Sequence, residues 1–187
     1  MGAIDRAIFH WINQWPDSMA HFFVYFSEAT KAKSLRVWTF AVLGVVVLGM
    51  LSRGGKARLA IILSMLAWPL ANGLTEAFKT AIPMLRPCVE LPETILHVGK
   101  LTTYGTASSH SANTAAVAFV MTYLLGKWGT PWILVALFTG LSRIYVGVHY
   151  PSQVLAGWLS GAFCGFLIVK CYEAWTRLRA TKQVAAT

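Results

Sequence analysis

Residues 144–170 read IYVGVHYPSQVLAGWLSGAFCGFLIVK, and from Ile144 to Val169 the run contains no Lys, Arg, Asp or Glu. A membrane-spanning helix needs roughly 20 mostly apolar residues, and this run exceeds that length. Tyr150-Pro151-Ser152 opens the helix, where the missing N–H of a proline costs least. Four further runs share this character. Val37–Ser52, Leu59–Thr75 and Trp128–Ser142 are uncharged, and Leu101–Gly126 carries only His110 as a group that titrates near neutrality. With flanking residues each approaches spanning length. The stretch predicts an all-helical, polytopic membrane bundle, and its neighbours repeat the message.

Composition agrees. Of 187 residues, 56% are hydrophobic and 12% charged, with a mean hydropathy of +0.57. A soluble domain carries about twice that charged fraction, and a soluble bundle would need a polar outer layer that this chain lacks. The formal charge of +9 is explained by loop lysines and arginines that orient a membrane protein, so no nucleic-acid partner is expected. Cys88, Cys164 and Cys171 show neither CxxC nor zinc-ligand spacing and imply no disulfide framework. Asp5, Arg6 and Asp17 interrupt the N-terminus, so a cleavable signal peptide is not expected.

Five spans are predicted, at about 36–52, 59–79, 110–127, 131–146 and 150–171, within a single integral membrane domain over 1–187. Ser34 is a candidate cap for the first, and Arg53–Arg58 forms the turn to the second. Gly129-Thr130-Pro131 separates the third from the fourth. Ala7, Ile8, Trp11, Ile12 and Trp15 recur at helical spacing before Pro16 and Asp17 break the pattern. This N-terminal segment reads either as an amphipathic helix in the membrane interface or as a broken sixth span. Residues 80–108 form the longest non-helical stretch, and loops of that length are often functional.

Base counting sets orientation. Arg53, Lys56, Arg58, Lys127, Lys170, Arg177, Arg179 and Lys182 lie on one side, with Glu173 the acid nearby. Lys31, Lys33, Arg36, Lys79, Arg86, Lys100 and Arg143 lie on the other, offset by Glu28, Glu90 and Glu93. The first side is expected to be cytoplasmic. The second then faces the periplasm or exterior of a bacterial inner membrane.

Three polar groups fall on that outer side. Lys79 to Arg86-Pro87 closes the second predicted span, Ala107-Ser108-Ser109-His110 opens the third, and Ser142-Arg143 to His149 joins the fourth to the fifth. Lys79, Arg86 and Arg143 supply three cations, two of them forks that match phosphate oxygens. Ser108, Ser109 and His110 stand at a helix N-terminus, where free N–H groups and the dipole favour an anion. One histidine can attack phosphorus and the other can protonate the departing oxygen. Phosphoryl transfer needs mainly positioning and charge stabilisation. This kit supplies both without a metal or other cofactor, and carboxylate clusters suited to Mg²⁺ are missing from the pattern.

Lys79-x6-Arg86-Pro87, then Ser108-Ser109-His110, then Ser142-Arg143-x5-His149, in that order, resemble the type 2 phosphatidic acid phosphatase superfamily. That family includes membrane lipid phosphatases, among them bacterial phosphatidylglycerophosphate and undecaprenyl diphosphate phosphatases, and the soluble vanadium haloperoxidases. The resemblance implies a six-helix bundle, which makes the N-terminal region a degenerate first span. It implies that Lys79, Arg86 and Arg143 bind phosphate, with Ser108 and the Ser109 and His110 amides assisting. His149 would form a phosphohistidine, and His110 would serve as acid and then activate water.

Two positions depart from the family pattern. Ala107 and Ser109 stand where Pro and Gly are usual, and both remain small. Gln153 stands where an Asp normally accepts a hydrogen bond from the nucleophilic histidine. A glutamine carbonyl can accept that bond but carries no charge, and its amide can present either face. By analogy with loss of the carboxylate from a serine protease triad, the penalty reaches roughly 10⁴-fold. The only aspartates are Asp5 and Asp17, neither expected near the site. Glu76, one turn before Lys79, is expected to pair with a site cation or share the orienting role.

His10, His21 and His97 read as structural, and Lys31, Lys33 and Arg36 as snorkelling residues. Glu90 and Glu93 read as solvated loop charges, while Tyr104 and Thr106 are candidates to line the site. The favoured function is hydrolysis of a phosphomonoester or pyrophosphate on a membrane lipid, with the bilayer and that lipid as partners. Two alternatives are a lipid phosphotransferase and a lipid-binding or transport homologue weakened by Gln153. Neither the particular lipid nor the oligomeric state is legible.

Overall fold

The computed structural model describes residues 1–28, 37–52 and 54–184, and among these every regular element is helical. The chain begins with α1 (Ala3–Asn13) and α2 (Ala20–Glu28), separated by a 3-10 turn at Asp17–Met19 where Pro16 stops the first helix. Helices then occupy each uncharged run: α3 (Val37–Ser52), α4 (Gly55–Ala81), α6 (Ser109–Leu125), α7 (Pro131–Tyr145) and α8 (Pro151–Val184). The one-turn α5 (Pro87–Glu90) sits inside the long loop after α4. Ser34 as a cap, and Lys31, Lys33, Arg36 and Arg53 as orienting charges, lie outside the described residues.

Two helices, Gly55–Ala81 and Pro151–Gln183, are long and apolar enough to cross a membrane, and α7 is apolar but shorter. At 1.5 Å per residue α8 rises about 50 Å, well beyond a hydrocarbon core of about 30 Å. At 11 and 9 residues, α1 and α2 are each too short to cross alone.

The bundle is organised around α6, which packs most extensively on α8 and α4, with α7 on a third side. Small residues make this close packing possible. Gly157, Gly161 and Gly165 of α8 face α6 four residues apart, and a Cβ at each would lie 2.5, 2.0 and 2.9 Å from Ser108 O, Ala112 O and Ala116 O. Any side chain there would push the two backbones apart, which is why small residues line close interfaces between membrane helices. Ala112 and Ala116 answer from α6, and Ala67 and Ala71 from α4, all fully buried in one cluster.

That register lays the start of α6 beside the start of α8, and Ser108 N donates to Gln153 O at 2.9 Å. The end of α4 and the end of α7 reach the same level. A second apolar cluster caps this end, with Phe9, Ile12 and Phe23 from α1 and α2 packed on Ile144, Tyr145, Val146, Val148 and Tyr150.

Candidate active site

The connection from α7 to α8 is only five residues, 146–150, and it turns through Gly147 at φ +85°. A Cβ at Gly147 would meet Ile95 O at 2.6 Å, so both the handedness and the space demand glycine. The turn directs His149 inward, where it is 2% exposed. Its Nδ1 lies 3.1 Å from Gln153 Oε1, and its Nε2 lies 2.7 Å from Arg86 Nη1.

These neighbours determine where the proton sits. A guanidinium only donates, so Nε2 accepts and the proton is on Nδ1, facing the Gln153 carbonyl. The amide orientation is fixed independently: Gln153 Nε2 donates to Leu85 O at 2.9 Å, and Tyr150 N donates to Gln153 Oε1 at 3.2 Å. Flipping the amide would set donor against donor and acceptor against acceptor. Gln153 therefore presents its carbonyl to the imidazole, as an orienting carboxylate would, without the charge. Burial, then the Arg86 and Arg143 charges, hold the His149 pKa well below its usual value, against the opposing Gln153 hydrogen bond. The ring is neutral at pH 7.

Arg86 is itself 4% exposed and uses every donor it has. Nε reaches Thr103 O at 2.7 Å, Nη1 reaches Val148 O at 3.1 Å as well as His149, and Nη2 reaches Tyr104 O at 3.0 Å and Thr103 Oγ1 at 3.3 Å. The fork expected to bind phosphate is saturated by three loop carbonyls, the Thr103 hydroxyl and His149 Nε2. Gly105 gives the arginine room, because a Cβ there would lie 2.7 Å from Arg86 Cγ and 2.8 Å from Gln153 Oε1.

Arg143 is 1% exposed, and its Nη1 donates to Ser27 Oγ at 2.5 Å and Ser27 O at 3.2 Å. Ser27, at the end of α2, had no motif to announce it. Lys79 Nζ donates to Glu76 Oε1 and to Ser109 Oγ, each at 2.7 Å. The expected pairing of Glu76 with a site cation is therefore present, while the imidazole is oriented by Gln153. Thr75 Oγ1 lies 2.9 Å from Ser109 Oγ and completes this second cluster.

Ser108 caps α6, its hydroxyl accepting from Ser111 N at 3.4 Å. His110 stands in the first turn of α6, one residue past Ser109, and its carbonyl accepts from Thr114 Oγ1 at 3.0 Å. Tyr104 contributes its carbonyl rather than its ring, and Thr106 ties Ile82 O and Met84 N together. Glu90 differs from the solvated reading, whereas Glu93 is exposed as expected. Glu90 pairs with Arg6 and accepts from Tyr150, and Glu93 lies 3.4 Å from His10. His97 keeps its structural role, stacked on Tyr145. Among the described residues no group of three or more His, Cys, Asp or Glu could hold a metal ion.

Two apolar cavities lie away from the histidines. One of about 510 Å³ lies between α6, α7 and α8, lined by Phe119, Tyr123, Leu137, Trp158 and Leu159 among others. Another of about 280 Å³ lies beside α4, at Met65, Trp68, Val117 and Trp132. Both are apolar and deeper along α6 than the charged cluster.

Comparison with known proteins places this arrangement. An undecaprenyl-diphosphatase of Sulfolobus acidocaldarius is 37% identical over 110 residues, covering 56% of this chain and 52% of that protein. A bacitracin transport permease protein, BcrC, of Bacillus licheniformis is 31% identical over 133 residues, covering 69% of this chain and 63% of its own. The matches thus span between half and two thirds of these relatives. The crystal structure of Aquifex aeolicus LpxE superposes with a TM-score of 0.72 at 23% identity, over 90% of this chain and 96% of that one, which establishes the shared fold. The PAP2 superfamily profile matches residues 58–177, a stretch that contains every site cation and both histidines, and the chain belongs to that family.

Proposed function

We propose that this protein is a membrane lipid phosphatase that hydrolyses a phosphomonoester or pyrophosphate through a phosphohistidine on His149. The observation that carries the reading is the neutral imidazole held between Gln153 Oε1 and Arg86 Nη1, with Arg143 and Lys79 close enough to act on its charge. The Nε2 lone pair attacks phosphorus, the N–P bond forms and the P–O bond to the lipid breaks. His110 protonates the departing oxygen, then takes a proton from the water that cleaves the N–P bond. Lys79, Arg86 and Arg143 balance the phosphoryl charge, with Ser108 and Ser109 shaping the α6 end of the site. No step needs a metal.

The proposed topology has five spanning helices and α1–α2 as a degenerate first span, with the site at the outer head-group level of a bacterial inner membrane. The cavity between α6, α7 and α8 begins six residues past Ser109, at Ala115, or about 9 Å down the helix. That depth suits a lipid tail whose phosphate stays at the charged end. Polyprenyl diphosphate, phosphatidylglycerophosphate, phosphatidic acid and a lipid A phosphate share the required chemistry.

Phosphate release from these four lipids in detergent, with and without EDTA, tests the reading. Activity that survives EDTA and disappears in His149→Ala is the expected result. Strict metal dependence, or turnover by the variant, refutes the mechanism. Appearance of a phosphorylated acceptor lipid in place of free phosphate would make the protein a transferase instead.

A further inference from the structure

Both ends of the segment that carries His149 are held by α1, a helix outside the stretch the family profile matches. At the first end Asn13 Nδ2 donates to Tyr145 O and Ile95 O, each at 2.8 Å, and Asn13 Oδ1 accepts from Ile95 N at 2.9 Å. One side chain thus joins the close of α7 to the loop that Gly147 packs against. At the other end Asp5 Oδ1 accepts from Ser152 N at 2.9 Å, and Oδ2 accepts from Ser152 Oγ at 2.7 Å. A carboxylate distant in sequence therefore caps the first turn of α8, where N–H groups lack partners and the dipole favours negative charge.

Between these anchors Arg6 pairs with Glu90, which accepts from Tyr150 Oη at 2.9 Å. Phe9 is fully buried with its ring 5.4 Å from that of Tyr150. Asn13, 2% exposed, is buried on the same face as Phe9 and Ile12, whereas Ile4 at 78% and Trp11 at 66% exposed lie on the outer face. Asp5 and Asn13 are turned toward the protein because their partners are there.

We propose that α1 is a positioning strap for His149, with Asp5 and Asn13 as positioning residues that fix the two ends of the 145–152 segment. Neither touches the reacting atoms. Asp5 acts through Ser152, whose neighbour Gln153 orients Nδ1. Asn13 acts through Tyr145 and Ile95, which leave the Gly147 turn no slack. Loosening either end lets Nε2 drift relative to the phosphate cations while the bundle remains assembled.

The proposal rests on His149 as nucleophile, and the experiment separates the two. Phosphate release by the full chain in detergent is measured for Asp5→Ala, Asp5→Asn, Asn13→Ala and His149→Ala, on the monodisperse fraction of each. Asp5→Ala and Asn13→Ala are expected to lower kcat about five- to tenfold with KM within about twofold, short of the roughly 10²-fold cost of a 1 Å misplacement. Asp5→Asn should restore most of that loss, because Asn caps helices about as well as Asp. Wild-type kcat in both alanine variants, with His149→Ala inactive, overturns the strap and leaves the nucleophile standing. A lowered melting temperature with unchanged kcat does the same, since it is what a merely structural role gives. Turnover by His149→Ala overturns the nucleophile and the strap together.

Discussion

Replacing Gln153 with Glu asks how much the missing charge costs. The side chain keeps its length, so one carboxylate oxygen takes the place of Oε1, 3.1 Å from His149 Nδ1, and still accepts from Tyr150 N. As the N–P bond forms, the imidazole gains positive charge. A carboxylate about 4 Å from that charge contributes about 4 kcal/mol at an effective dielectric of about 20. Against this, the second oxygen meets Leu85 O, which now receives a hydrogen bond from Nε2 at 2.9 Å. Losing that bond in a buried place costs about 1–3 kcal/mol. The Arg86, Arg143 and Lys79 charges that act on His149 offset the cost of burying the new anion. The remainder of about 1–3 kcal/mol predicts a rise in kcat of roughly ten- to hundredfold, read as phosphate release at saturating lipid. Gln153→Asp removes the clash with Leu85 O but is one methylene shorter, so its gain should be smaller. Unchanged kcat in both variants would refute the idea that the neutral amide limits turnover.

The pH dependence has a definite sign. His149 acts neutral and its folded pKa is depressed by burial and nearby cations, so kcat/KM should hold as pH falls through about 6.5 and drop only below it; an acid inflection at or above that value would contradict the assignment. Unfolded, the same ring takes its proton near pH 6.5 while the folded ring does not, so stability should fall below that pH and level off beneath the folded pKa, measurable as melting temperature against pH. Ser27→Ala removes the hydroxyl beneath Arg143, which is 1% exposed. A lost hydrogen bond to a buried charge costs about 1.5–3 kcal/mol, so both melting temperature and kcat/KM should fall, and no change in either would show that the Ser27 carbonyl alone holds the guanidinium.

Much of the fold was legible because membrane helices announce themselves by composition: the uncharged runs became α3, α4, α6, α7 and α8. However, α4 begins at Gly55, inside the predicted turn, and α8 continues to Val184, well past the predicted 171, because charged residues beyond an apolar run can extend a helix without breaking it. What the runs did not disclose was which helix faces meet. Gly157, Gly161 and Gly165 are plain in the sequence, yet their purpose depends on Ala112 and Ala116 of another helix, and a one-dimensional pattern does not name its partner. The site divides similarly. His149, Arg86 and Gln153 were singled out by the family resemblance, and the structure puts them in contact. Ser27, Asp5 and Asn13 were missed as site-supporting residues, because each acts on backbone or a guanidinium more than 80 positions away. Glu90 was misread because an acid in a Pro-rich loop looks solvated until Arg6 and Tyr150 arrive from other elements.

The saturation of Arg86 bears on how the proposed reaction begins. Four of its contacts go to Thr103, Tyr104 and Val148, and these can persist when substrate arrives, holding the guanidinium charge in place without reorganisation. The fifth goes to His149 Nε2, the atom that must be free to attack. A phosphate oxygen entering the site competes for that donor with an advantage, since an anionic acceptor adds Coulombic attraction to the guanidinium that the neutral imidazole lacks. When the oxygen wins, one exchange both anchors the phosphate and releases the lone pair that faces it. On the proposed mechanism the nucleophile is masked in the resting site by the group that recognises the substrate, so a neutral lipid that cannot take the Arg86 donor leaves His149 covered. The proposed reaction then selects for phosphate before chemistry, through the loop between α4 and α6 as much as through the histidines.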